Sequence, residues 1–341
     1  MLFTNELWFN GRNSYFMLLK CKMPPYNQNP FSLTRRIPRQ HLLENRMMRL
    51  LKFGVISFVL FECLITGVVS RVFQDQKCQP VTPEGHLRPS IPHKTLDEDY
   101  LNKFDEIIII GDQHGCYDEE QLLINNHKLN DTVLKIFTGD ISRKGPKNLE
   151  VIRYIKSCKS CISVRGNNDE KTLLRIWMHK HNSTYVYNPE DLWMAELTEE
   201  EVAWMRELHY SFYLPSLNAR VCHGGFLPGG VPIEDNRPYT VMNIRTVIAD
   251  PDCPGGWKPT REEFLDSLNA PTFPWASQWR GPEHIYFGHD HKRQLQLYPF
   301  ATGVDTACVR GHYMTGYFIK GPRKGTFITQ PALQQYYHGK V

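Results

Sequence analysis

The chain has 341 residues, 41% of them hydrophobic and 22% charged, with nine cysteines. That composition excludes a polytopic membrane protein, a mainly disordered chain and a scaffold built on disulfides. The net charge of +4 is uneven: residues 1–52 hold nine Lys/Arg against two Asp/Glu, which places +7 there and −3 in the remainder, so no specific nucleic-acid binding is expected of the body.

Residues 1–46 are rich in Asn, Arg and Pro without periodicity and read as a disordered cytosolic tail. Residues 47–70 contain the apolar run Phe53–Ser70, in which Glu62 is the one charge. Crossing the hydrocarbon core takes about 20 apolar residues, so the run is marginal, and a buried core helix is the competing reading. Arg46, Arg49 and Lys52 directly before it argue for a membrane segment with a cytosolic amino terminus. Read from Met1, it is a signal anchor of a single-pass type II protein. Read from Met47 or Met48, it is a signal peptide that exits through Val68-Val69-Ser70. Both deliver the body to the secretory pathway, either to a vacuole- or lysosome-like lumen or to the exterior. Residues 71–103, with four prolines, read as a stem. The triplets Asn130-Asp131-Thr132 and Asn182-Ser183-Thr184 are glycosylation acceptors that suit a lumenal body. Cys158-Lys159-Ser160-Cys161 lacks a second CxxC, which points to a local disulfide or two free thiols rather than a structural zinc site.

From residue 104 to about 325 the pattern is that of one α/β domain, followed by a tail over 326–341. Glu106–Ile110, Val133–Phe137, Cys161–Val164, Ala219–Cys222 and His284–Phe287 are short apolar runs. Their β-branched content and Gly boundaries predict strands buried on both faces. Glu119–Leu129 and Leu149–Lys156 fit crossover helices, and Thr198 with Glu201 makes a capping box. Gly303 to Lys320 alternates as antiparallel strands do.

Each of the five runs ends beside residues that bind metal: Asp112 and His114, then Asp140, Asn167, His223, and His289 with His291. Ligands collect at the carboxyl ends of strands in α/β sheets, so these side chains are expected to converge. Carboxylates mixed with imidazoles suit Zn, Mn, Fe or Co rather than Ca. Seven ligands fit two divalent ions with Asp140 bridging them. Two ions about 3.5–4 Å apart form the clamp for in-line displacement at phosphorus, in which an ion-activated hydroxide attacks.

In order and content, Gly111-Asp112-Gln113-His114-Gly115, Gly139-Asp140 through Gly145, Arg165-Gly166-Asn167, His223-Gly224-Gly225 and Gly288-His289 resemble the calcineurin-like metallophosphoesterases of the phosphoprotein-phosphatase superfamily. Within that superfamily, Gly139–Pro146, Arg165–Asp169, Asn243-Ile244-Arg245, Phe287–Asp290 and Gly303–Thr306 are similar to the ApaH-like phosphatases, a group that includes vacuolar endopolyphosphatases with a membrane anchor. The resemblance spans residues 104–320. It implies a metallophosphatase fold, a central β-sandwich flanked by helices in α-β-β-α layers. It also implies that Asp112 and His114 hold the first metal, that Asp140 bridges, that Asn167, His223 and His289 hold the second, and that His291 reaches the first. Lys144, Arg165, Arg245, Arg143 and Arg280 are the implied phosphate contacts, with Arg165 also counted among the catalytic residues.

Protein phosphatases of this superfamily carry His directly after the metal-binding Asn, where it helps to protonate the leaving group; here the position is Asn168. A missing general acid matters little for a phosphate leaving group, whose second pKa is about 6, and a great deal for an alkoxide. The expected substrate is therefore a phosphoanhydride, inorganic polyphosphate or a similar polyphosphorylated molecule. Alternatives are a serine/threonine protein phosphatase or dinucleoside polyphosphate hydrolase on the same site, and a catalytically silent metal-bound interaction protein.

Overall fold

The computed structural model describes residues 88–260 and 270–339. The tail over 1–46, the anchor or signal peptide over 47–70 and the first part of the stem lie outside these residues. Among the described residues no helix is long and apolar enough to cross a membrane.

In chain order the strands are β1 (His93–Thr95), β2 (Glu106–Ile110), β3 (Val133–Phe137), β4 (Cys161–Ser163), β5 (Ser211–Leu214), β6 (Ala219–Cys222), β7 (Thr246–Ala249), β8 (Trp257–Thr260), β9 (Thr272–Pro274), β10 (His284–Phe287), β11 (Gln296–Tyr298), β12 (Ala301–Gly303), β13 (Tyr313–Lys320) and β14 (Phe327–Pro331). The helices are α1 (Glu98–Leu101), α2 (Tyr117–Asn126), α3 (Asn148–Ser157), α4 (Asn167–His181), α5 (Glu199–Arg206), α6 (Pro238–Asn243) and α7 (Trp275–Gln278). They build a five-stranded sheet ordered β14-β13-β2-β3-β4, a six-stranded sheet ordered β1-β5-β6-β10-β12-β11, and a small sheet ordered β8-β7-β9.

The isoleucine run of β2 shows how the layers form. Successive side chains on a strand point to opposite faces. Ile107 and Ile109 join Leu134, Ile136, Phe212, Leu214 and Val221 in a core drawn from both large sheets. Ile108 and Ile110 instead join Leu123, Val151, Ile152 and Ile155 of α2 and α3. On the far side, Cys222, Ile285 and Phe287 meet Val241 and Met242 of α6 and Trp275 of α7. Helix, sheet, sheet and helix thus stack as the α-β-β-α sandwich. Strands β2, β3 and β4 run parallel, as do β6, β10 and β12, so within each set the carboxyl ends share one edge.

Both expected domain boundaries need correction. The stem was placed over 71–103, yet β1 pairs with β5 and Leu96 and Leu101 are buried between the sheets. Their apolar side chains belong to the core, and the four nearby prolines hid that. The tail was placed over 326–341, yet β14 extends the five-stranded sheet through a five-residue register with β13. The expected antiparallel pairing of Gly303–Lys320 holds for β13, and β12 pairs antiparallel with β11 on one side and parallel with β10 on the other. Cys158 and Cys161 form a local disulfide. The capping box at Thr198 forms in both directions, with Glu201 N–H donating to Thr198 Oγ1 and Thr198 N–H to Glu201 Oε2.

One buried group carries a stability prediction. Glu120 on α2 is fully buried and neither carboxylate oxygen has a hydrogen-bond partner. Burial pushes its carboxyl well above the usual range, with Lys135 pulling weakly the other way. The folded protein therefore keeps a proton that the unfolded chain releases near pH 4.3, and stability falls as pH rises from there through the folded value. Glu120→Gln should flatten that fall and stabilise the protein near pH 8 by about 1–3 kcal/mol, or roughly 2–4 °C of melting midpoint per kcal/mol at this size. Thermal melts of both proteins at pH 5 and pH 8 test it, and parallel pH profiles would refute it.

Candidate metal centre

The carboxyl ends of six strands meet at one point. Asp112 follows β2, Asp140 follows β3, Asn167 follows β4, His223 follows β6, His289 follows β10 and Asp305 follows β12. Asp112, His114 and Asp140 are buried, and their ligand atoms lie within 4.8 Å of one another. His114 Nε2 is 3.3 Å from Asp140 Oδ2 and 3.9 Å from Asp112 Oδ2. On the other side of Asp140, His223 Nε2 is 3.4 Å from Oδ1, and His289 Nδ1 is 3.1 Å from His223 Nε2.

The histidines share one wiring. His114 Nδ1 donates to Ser142 O at 3.3 Å, His223 Nδ1 to Thr138 O at 2.7 Å and His289 Nε2 to Asn243 O at 3.1 Å. A backbone carbonyl on one ring nitrogen fixes the tautomer and turns the other nitrogen's lone pair inward, as metal-ligating histidines require. Burial lowers the pKa of all three, well below the ordinary value for His114 and His289, which favours the neutral, ligand-competent form.

Acceptors therefore face acceptors. The inward lone pairs of His223 and His289 point at each other, and Asn167 Oδ1 sits 3.1 Å from His223 Nε2. Turning the Asn167 amide would let its nitrogen donate to His223 and Asp140. A cation between them would instead keep the oxygen inward. Burial, with Asp305 and Asp140 nearby, pushes the Asp112 carboxyl well above its usual range. Burial also opposes ionisation of Asp140, but His223, His114 and Lys144 outweigh it and hold that carboxyl below its usual range. Two basic side chains stand where positive charge is wanted: Lys144 Nζ donates to His114 Nε2 at 2.8 Å, and Arg245 Nη2 lies 3.4 Å from His289 Nδ1. This donor set fits divalent cations.

The backbone here is strained. His114, Asp140 and His289 have φ of 45°, 51° and 67°, and Arg143 and Lys144 have 75° and 72°. Such residues cost about 1–3 kcal/mol each and cluster at functional sites. The loop is held by His114 N–H donating to Asp140 O at 2.7 Å and Gly145 N–H to His114 O at 2.8 Å. Gly288 admits no side chain, since a Cβ would run into Asp112 Oδ1 and Thr138 Oγ1.

A cavity of about 660 Å³ lies over the cluster, lined by His114, Asp140, Asn167 and His289 and by the basic residues Arg143, Lys144, Lys171 and Arg245. Arg143 is engaged: its guanidinium lies 3.3 Å from Asp191 Oδ1 and 3.8 Å from Glu190 Oε1. Arg245 Nη2 donates to His289 O at 2.9 Å.

Three expected residues are not brought here. Arg165, expected on phosphate and in catalysis, is fully buried; its Nη1 donates to Glu170 Oε2 at 2.8 Å and its Nη2 to Arg206 O. β4 ends at Ser163 and α4 starts at Asn167 behind its N-cap Gly166, so strand alternation does not carry Arg165 to the side that Asn167 occupies. Arg280 is exposed and donates to Ser277 O and Trp279 O. His291 is half-buried and, like Arg280, does not line the cavity.

Several residues were missed. Asn168 braces Asp140, donating from N at 2.7 Å and from Nδ2 at 2.6 Å. Lys171 follows Asn167 by four residues on α4, a spacing that shares a helix face and was readable in advance. Asp305 lies within the Gly303–Thr306 motif, but nothing in the sequence set it beside Asp112. Tyr336 and Tyr337 line the cavity from the region read as a tail.

A model of calcineurin-like phosphoesterases matches residues 106–313. A symmetrical bis(5'-nucleosyl)-tetraphosphatase of Coxiella burnetii is 27% identical over 275 residues, covering 66% of this chain and 92% of the relative. The asymmetrical bis(5'-nucleosyl)-tetraphosphatase PrpE of Bacillus subtilis is 27% identical over 229 residues, 61% of this chain and 88% of the relative. A crystal structure described as a candidate diadenosine tetraphosphatase superposes with a TM-score of 0.59 at 28% identity, over 71% of this chain and 98% of that one.

Proposed function

The chain belongs to the calcineurin-like phosphoesterases, and from that membership we propose that it is a dinuclear-metal hydrolase of phosphoanhydride bonds in polyphosphorylated substrates. Asp112 and His114 would hold one divalent ion, Asn167, His223 and His289 the other, and Asp140 would lie between them. Bound there, the ions supply positive charge for the phosphoryl oxygens and acidify a water. Lys144, Lys171 and Arg245 would bind and orient the phosphate chain, with Arg143 held in place by Asp191. Delivery of this body to the secretory pathway is part of the same proposal, supported by the run Phe53–Ser70 and the basic residues before it.

The observation that carries the anhydride reading is the state of Asn168 and Asp169. Asn168 cannot act as a general acid, and its amide is spent on Asp140. Asp169 is turned away, accepting from Gly166 N–H at 2.9 Å and Ser142 Oγ at 2.9 Å, and it does not line the cavity. Among the described residues the other carboxylic acids of the cavity wall, Glu190 and Asp191, face the Arg143 guanidinium at 3.8 and 3.3 Å, so the site suits a leaving group that is stable as an anion. The dinucleoside tetraphosphatases among the relatives act on such bonds by name. The test is to strip the purified full chain with chelator, reload it separately with Zn²⁺, Mn²⁺, Co²⁺ and Mg²⁺, and assay tripolyphosphate and diadenosine tetraphosphate. The stripped protein should be inactive and at least one ion should restore turnover of an anhydride. Full activity after stripping, or none under any ion, refutes the proposal.

A further inference from the structure

The cavity over the metal cluster is charged on most sides, but one wall differs. Tyr336 and Tyr337 stand there beside Pro146, the only phenol rings among its described lining residues. They belong to the segment after β14, which is pinned rather than loose. The N–H groups of Tyr336 and Tyr337 each donate to Val309 O at 3.0 Å. Glu119 Oε1 accepts from Leu333 N–H and from the Tyr336 hydroxyl, both at 2.9 Å. Arg310 Nη1 donates to Gly339 O at 3.0 Å, and its guanidinium carbon lies 5.1 Å from the Tyr337 ring centroid. On the cluster side Lys144 Nζ lies 5.8 Å from the same centroid, so the ring borders the place where phosphate would be held.

A rigid aromatic wall adds little to the binding of an inorganic chain, which presents only charged oxygens. Its half-buried rings add apolar surface to the cavity that a flat heterocycle attached to the phosphates can cover, and rings held in advance cost little entropy on binding. The volume of about 660 Å³ also exceeds what a terminal phosphate needs and lies in the range of pockets that enclose whole small molecules. We propose that Tyr336 and Tyr337 seat the base of a nucleoside-polyphosphate substrate and so select nucleoside-bearing anhydrides over inorganic polyphosphate. This rests on the phosphoanhydride reading above and names the substrate class of the same site.

The test uses the metal-loaded full chain and compares kcat/KM for diadenosine tetraphosphate and tripolyphosphate in the wild type, Tyr336→Ala, Tyr337→Ala and Tyr337→Phe. Stacking of a base on an aromatic side chain is worth roughly a 5- to 150-fold change on alanine substitution. At least one alanine variant should lose roughly tenfold or more on diadenosine tetraphosphate, chiefly through KM, and stay within about twofold on tripolyphosphate; Tyr337→Phe should keep most of the preference. ADP should inhibit the wild type more strongly than pyrophosphate, and that advantage should shrink in the same variant. An equal fall on both substrates, with a lowered melting midpoint, means the rings only hold the segment and overturns the seat. No change on either substrate overturns it as well. If the wild type cleaves tripolyphosphate at least as well as the dinucleotide, the seat fails while the anhydride reading stands. If it cleaves neither, both fall.

Discussion

Asp140→Asn should lower phosphoanhydride turnover by about 10³-fold or more. Asp140 contacts both halves of the cluster at the shortest range, through His114 Nε2 at 3.3 Å and His223 Nε2 at 3.4 Å, against 3.9 Å for Asp112 to each histidine. An amide there removes the negative charge and presents a nitrogen to lone pairs that already lack donors. Charge stabilisation by a metal pair is worth several kcal/mol, and each 1.36 kcal/mol is tenfold in rate, which sets the size of the loss. The stability signature should run differently. Asp112, Asp169 and Asp305 are buried around Asp140, so the variant relieves some repulsion, but it also gives up the attraction of the neighbouring histidines and Lys144 and weakens the bonds from Asn168. The carboxyl is held below its usual range, so the losses outweigh the relief and the metal-free melting midpoint should fall. Added Mn²⁺ or Zn²⁺ should then raise the midpoint of the wild type only, by the equivalent of about 2.7 kcal/mol at a hundred times Kd. Wild-type turnover in the variant, or equal stabilisation of both proteins by metal, would place the centre elsewhere.

Legibility in the sequence followed how local the determining signal was. β2, β3, β6 and β10 could be read because a buried parallel strand is a bare apolar run, and the ligands could be read because each follows such a run within four residues. The edges were harder. β1 is three residues long with one half-buried and two exposed side chains, and β14 is largely half-buried or exposed, so neither carries an apolar run. Both are strands only because a neighbour supplies the hydrogen bonds. The same holds for the small sheet of β7, β8 and β9, which had no expectation attached to it. Arg165 shows the other kind of failure. Its neighbour Asn167 was rightly placed at the centre, but a charged residue next to a ligand can be spent in the core, and the buried Glu170 one helical turn on decides that. Tyr336 and Tyr337 are beyond any local signal: nearly 200 residues separate them from Lys144, and only the return of the chain along β13 and β14 brings them to the cavity.

The second large effect concerns the leaving group. General acid catalysis contributes about 10²–10⁴-fold, and a serine alkoxide, with a pKa near the value of about 15.7 for water, needs all of it. A phosphate leaves as a stable anion and needs almost none. The wild type should therefore favour tripolyphosphate over a phosphoserine peptide by at least about 10² in kcat/KM. Across a series of aryl phosphates its rate should fall steeply as the leaving-group pKa rises. Asn168→His adds the missing proton donor at the position where related protein phosphatases carry it. The substitution should flatten that dependence and raise phosphopeptide turnover by about tenfold or more. It should cost some anhydride turnover, because the histidine gives up the 2.6 Å bond from Nδ2 to Asp140 while the backbone N–H of residue 168 keeps its own. The slope matters more than either rate alone, since a general loss of activity lowers both substrates and leaves the slope unchanged. A shallow slope in the wild type would mean that a proton reaches the leaving oxygen by another route. The anhydride preference would then lose its chemical basis, whatever metals the cluster holds.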